Sequence, residues 1–186
     1  MQIFYVSPSL IDNQRLNKQI LESLQIISYC FELYTGAHRN HPVVKRVKTN
    51  DHRYMLALWN HTYNCVIEWV YNRGGLLNEN TKNTFIMLYG LITCVDREHV
   101  DYPCFIHRDK VNIELKSREQ QTLEYMSLLN EKWSQQKTSP NFSFTKKYLK
   151  GGEKFSTEYE ASKKLVEEIG KVVGIADNTV KYVEAC

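Results

Sequence analysis

The sequence predicts an all-α fold, a compact single domain of about four to five helices joined by long loops. Three observations predict it. Breakers are scarce, with 8 Gly and 4 Pro in 186 residues, which favours long helices. Apolar residues recur at three- and four-residue steps in several stretches, the period of one helix face. No stretch carries a strong strand signal, and no internal repeat is visible. With 42% hydrophobic and 24% charged residues, the chain can build a core and is not a disordered polymer.

The first helix is predicted over residues 12–34. Leu16, Ile20, Leu24, Ile27 and Phe31 form its apolar stripe, Asp12 or Asn13 can cap its start, and Gly36 lies just past its end. Residues 37–49, with His41-Pro42 and a basic run, read as loop. A second helix over 51–72 buries Met55, Leu58, Tyr63, Val66, Ile67 and Val70, and Gly74-Gly75 stops it. A third over 80–95 is nearly apolar in its second half and is expected to be the most buried. Residues 101–109 read as loop and 117–135 as a fourth helix. A looser basic stretch from Ser139-Pro140 then leads to a last helix over 157–171. Thr157 and Glu160 form its capping-box pattern and Gly174 its stop. Residues 1–137 are expected to be one helical domain, with 138–186 a basic linker plus a C-terminal helix packed on it.

Several classes are excluded. The longest uncharged apolar run, 85–95, falls well short of the ~20 residues of a membrane span. The N-terminus lacks the basic and apolar pattern of a secretory signal. The five cysteines are odd in number and form no Cys-x-x-Cys pair, against zinc-ribbon and disulfide scaffolds. A cytoplasmic, monomeric protein without cofactor or metal is expected. The Asn, Tyr and Lys bias fits an AT-rich, viral genome. Net charge is only +3, but residues 1–50 hold six basic against three acidic side chains. Arg39, Lys45, Arg46, Lys48 and Arg53 cluster with His38, His41 and His52, so the stretch is either a solvated loop or a phosphate-facing surface.

On the first helix, Arg15, Lys18, Glu22 and Gln25 fall within about 60° of one another. That face is expected to point away from the core. Its plain reading is a surface helix with a Lys18–Glu22 pair worth a few tenths of a kcal/mol. His38-x-x-His41, with His52 or His61, is weighed as a metal site and read as loop residues. Trp59, Trp69 and Trp133 read as packing residues, and Glu68 as one end of a helix-to-helix salt bridge. There is no Gly-rich phosphate loop and no zinc-deaminase signature.

The segment Leu10-Ile-Asp-Asn-Gln-Arg-Leu-Asn-Lys-Gln19, then Glu22, then Asn40-His41-Pro42-Val43-Val44-Lys45 resembles the phage pyrimidine-dimer DNA glycosylase (endonuclease V) family. It is most similar to a branch of phage and bacterial relatives. Glu68-Trp69 followed by Arg73-Gly74 is similar to that branch's pattern at a helix end, and Phe105-x-His107-Arg108 with Asn112 resembles a later segment more loosely. The likeness covers roughly residues 1–133.

The resemblance implies a DNA-repair enzyme, both glycosylase and abasic-site lyase, acting on double-stranded DNA. Such a protein flips a damaged nucleotide, attacks its sugar C1′ with the N-terminal α-amine and then cleaves the backbone. Its essential acid/base is a glutamate on the first helix. Laid without gaps, the motif puts that glutamate on Glu22 and the amine on Met1, which the bulky Gln2 should leave in place. An α-amine of pKa near 7.8 is roughly 10–15% neutral at pH 7, against about 0.04% for an ordinary lysine, so the terminus is the better imine former. Arg15 would hold a flanking phosphate, and Lys18, Gln25, Arg39, His41, Lys45, Arg46 and Lys48 would face the DNA.

Three positions depart from the well-studied members. Leu21 and Gln25 stand where those carry basic residues, and Arg15 replaces a histidine. Phe144-Thr-Lys-Lys-Tyr-Leu-Lys-Gly is loosely similar to the family's aromatic-basic tail. The departures leave two alternatives open, a glycosylase for modified viral or host bases and a non-catalytic DNA-binding protein of the same fold.

Overall fold

A computed structural model describes residues 6–48, 53–93, 118–143 and 152–173. Among the described residues six α-helices follow one another and no strand occurs. They are α1 (Asn13–Cys30), α2 (Pro42–Lys48), α3 (Arg53–Ile67), α4 (Glu79–Ile92), α5 (Arg118–Ser134) and α6 (Gly152–Val173). Short 3-10 turns at Pro8–Leu10 and Ala37–Asn40, and a π-helical turn at Glu68–Asn72, join them. The all-α expectation holds. Residues 101–109, the Phe105–Asn112 motif, the 144–150 basic stretch and Gly174 lie outside the described residues.

α1 forms where its stripe predicts. Leu16, Ile20, Leu24 and Ile27 are fully buried, each contributing roughly 1.5–3 kcal/mol by its removal from water. Asp12 caps the helix by accepting from the backbone N–H of Gln14 and Arg15, both at 3.2 Å. α1 ends at Cys30, before the expected residue 34, because Glu32 adopts a left-handed φ of 59°. The N–H of Glu32 then donates to Tyr29 O and that of Leu33 to Ser28 O, which closes the helix end. A side chain in that conformation costs about 1 kcal/mol where glycine would cost little.

α3 is the central element, packed against α1 and α2. Met55 to Trp59, and His61, Cys65, Val66 and Ile67 further on, are all buried. Trp59 stacks on Phe85 of α4 with centroids 4.9 Å apart. The final turn widens into a π-turn in which Arg73 N–H donates to Glu68 O at 3.1 Å. The glycine stop is as predicted, and for two reasons. Gly74 takes φ 59°, and a Cβ on Gly75 would lie 2.0 Å from the Trp69 indole, so only glycine fits beneath that ring.

Four sequence expectations need correction. Residues 37–49 are not a plain loop but hold α2, which buries Val44 and Val47 against α1 and α3. Pro42 supplies the fixed φ of a first helical residue, and His41 Nδ1 accepts from Val43 N–H at 3.3 Å. α4 is not the most buried helix. Thr81, Phe85, Leu88 and Ile92 form its one buried stripe, while Ile86 and Met87 are exposed. α6 already begins at Gly152, so Thr157 lies inside the helix rather than capping it. The α1 polar face is not plain solvated surface but partly sheltered, as its exposures below show. α6 docks on the end of α3, where the Tyr63 hydroxyl donates to Val166 O at 3.1 Å and the Tyr71 hydroxyl to Lys163 O at 3.0 Å.

Candidate active site

The polar face of α1 carries the predicted acid. Side-chain exposure is 13% for both Arg15 and Glu22, against 66% for Lys18, and Gln25 is half-buried. The face is therefore a half-sheltered ledge, not solvated surface. Lys18 Nζ stands 3.7 Å from Glu22 Oε1, the local pair that the spacing predicts.

Arg15 is drawn sideways rather than left facing outward. Its Nη1 donates to Asp12 Oδ2 at 2.8 Å, and the Gln136 amide oxygen accepts from Nη1 and Nη2 at 2.7 and 2.6 Å. Trp133 Nε1 donates to the same Asp12 oxygen at 2.7 Å. Burial alone would raise the Asp12 pKa, but the bonds from Trp133 and Arg15 and the Arg15 charge outweigh it. The carboxyl is held below its ordinary range. Asn13 completes this junction, its backbone N–H donating to Asn141 O at 2.7 Å and its Nδ2 to Ser143 O at 2.9 Å. The segment 133–143 is thus strapped across the start of α1.

A second hub lies behind that start. Arg73 is 2% exposed. Its Nε donates to Glu68 Oε1 at 2.8 Å, its Nη1 to Ile11 O and Asn13 Oδ1 at 2.6 and 2.9 Å, and its Nη2 to Pro8 O and Ser9 O at 3.1 Å each. The Glu68 bridge expected between helices is instead closed within one π-turn. Asn72 Nδ2 donates to its other oxygen at 2.6 Å. Sequence reasoning read Trp133 only as a packing residue and placed no role on Arg73 or Gln136. The Arg73-Gly74 pair at a helix end was the one available signal.

The basic residues gather on and beside α2. Arg39 and Lys45 are exposed and Arg46 is half-buried. Lys48 pairs with Glu32 beyond the end of α1, and His41 caps α2. Met1 lies outside the described residues. Among the described residues, no three His, Cys, Asp or Glu side chains converge as a metal-holding group, and no helix is long and apolar enough to cross a membrane. His61 is fully buried, with Nε2 3.5 Å from Cys65 Sγ, and burial pushes its pKa down to about 4. Its imidazole is a neutral core group.

The class defined by this fold and helix is a helical protein with a sheltered acid on its first helix and a basic helix beside it. Residues 1–83 match the family model described as pyrimidine dimer DNA glycosylase, which bears out the resemblance to the phage endonuclease V family for that part of the chain. That family acts on DNA as a repair glycosylase. The match takes in α1, α2, α3, the Arg73 turn and the start of α4, and stops short of α5 and the strap. No curated protein and no solved structure matches the chain.

Proposed function

We propose that the chain is a DNA glycosylase with abasic-site lyase activity, acting on double-stranded DNA as a monomer. In this reading the Met1 α-amine attacks C1′ of a flipped, pyrimidine-dimer-type nucleotide. The base departs with the electrons of the glycosidic bond, and opening of the sugar ring leaves an imine between Met1 and C1′. The Glu22 carboxylate takes the C2′ proton, and the electrons released expel the 3′ phosphate.

The observation that carries the reading is Glu22 itself. It is a carboxylate only 13% exposed, inside a segment that matches a family of DNA glycosylases. Arg39, Lys45 and Arg46 would hold flanking phosphates.

Borohydride trapping on a duplex with an abasic site tests the chemistry. A covalent adduct is expected, and Glu22→Gln should lower turnover by about a hundredfold or more while leaving duplex binding unchanged. A folded protein that forms no adduct overturns the lyase assignment. A second reading, a non-catalytic DNA-binding protein, draws on Leu21, which is 46% exposed beside Glu22 where well-studied members carry a basic residue. Duplex binding without adduct would favour it. An adduct at abasic sites with dimer-containing duplex left intact would move the substrate to a modified base.

A further inference from the structure

We propose that Leu21 is a stack-inserting residue, an apolar wedge that enters the duplex at the nucleotide on which Glu22 acts and fills the place that nucleotide leaves. The inference rests on the DNA-glycosylase reading above, but not on which amine forms the imine. Leu21 is 46% exposed, whereas the other leucines and isoleucines of α1 are all buried. A single exposed leucine is ordinary on a protein surface, so its surroundings decide the matter. One turn away on the same face stand Asn17 and Lys18, both exposed, and Gln25, half-buried. α1 has two basic side chains, and one of them, Arg15, is drawn onto Asp12 and Gln136. With Arg15 and Glu22 each only 13% exposed, Lys18 is the one well-exposed charge of the helix.

Such a face is poorly equipped to grip a row of phosphates. What it offers suits the inside of the duplex. Asn17 and Gln25 carry amides that both donate and accept, as base edges do, and leucine is among the side chains that enter between base steps as wedges. Extruding a nucleotide forfeits its stacking and leaves a gap. A leucine seated in that gap leaves water itself and restores contact to the bases on either side. Leu21 and Glu22 are successive residues of one helix, separated by about 1.5 Å of rise and about 100° of turn. One side chain can therefore occupy the stack while the other meets the sugar of the extruded nucleotide.

The test uses a duplex carrying a tetrahydrofuran abasic-site analogue, which cannot form an imine, with 2-aminopurine as the neighbouring base, whose fluorescence rises when it unstacks. Saturating unsubstituted protein should raise the fluorescence roughly twofold or more. Leu21→Ala, which suits an exposed helix position, should lose most of the rise and bind this duplex about tenfold more weakly. Its log–log salt slope should stay unchanged, because no phosphate contact is removed. Leu21→Met, apolar and of similar volume, should keep the rise. Ile86→Ala trims a side chain on α4 that is 47% exposed and should also keep it. A full rise from Leu21→Ala overturns the proposal, as does a loss shared by Ile86→Ala or a Leu21→Met protein as defective as Leu21→Ala. Binding by the unsubstituted protein without any rise overturns it too. A folded protein that binds no duplex overturns the DNA reading and the wedge together. A rise that depends on Leu21, with no borohydride adduct at a true abasic site, supports the wedge and overturns only the imine assignment.

Discussion

A histidine enclosed in a helix core makes the protein sensitive to acid well above the carboxylate range. His61 is held near pKa 4 by burial, while in the unfolded chain it returns to about 6.5. Between those values the unfolded state binds a proton that the folded state refuses, so stability falls as pH drops from about 6.5 to about 4, by up to roughly 3 kcal/mol. Asp12 acts lower on the scale. Its folded pKa is depressed, so its contribution is present above the unfolded carboxylate value and is lost as pH falls through the folded one. Denaturant midpoints at pH 7, 5.5 and 4 should therefore decline in order. His61→Gln should flatten the decline between 6.5 and 4, and a variant that keeps the full slope would show that another group titrates.

Among the elements, α2 links charge to packing. Val44 and Val47 seat it in the core, which turns Lys45 outward and leaves Arg46 half-buried. If both meet phosphates, replacing them together with Ala should make the log–log salt dependence of duplex affinity shallower by about 2, equally for all sequences. An unchanged slope would return α2 to a purely structural role. This helix was also the hardest to read in the sequence. Seven residues with a proline and three valines have little helix propensity of their own, and α2 exists because α1 and α3 offer Val44 and Val47 a place. The stripes of α1 and α3 were legible because one-sided burial writes its period directly into the residues. The apolar run of α4 misled, since composition does not say on which side a neighbour stands, and Ile86 and Met87 face outward. Glu22 could be placed from spacing and resemblance. The hub at Arg73 could not, because bonds to main-chain carbonyls of residues 8–11 leave no side-chain pattern to find.

At the scale of the whole molecule, the strap ties residues 133–143 back to the start of α1. Trp133 meets Asp12 across 121 residues of sequence and Ser143 meets Asn13 across 130. The matched family segment ends at residue 83, so the start of α1 is finished by residues from outside it. The consequence is kinetic. Closing a loop of that length costs about 4 kcal/mol in chain entropy, and contacts so distant in sequence reward it only once the intervening helices have formed. The Trp133 and Asn141 contacts should therefore be absent at the folding transition state. Trp133→Phe, which deletes the bond to Asp12, should speed unfolding in a stopped-flow chevron and leave the folding limb where it was. A slowed folding limb would place the strap in the nucleus instead. Sealed last and released first, the start of α1 can open without global unfolding, and its amides should exchange with solvent sooner than those of α3.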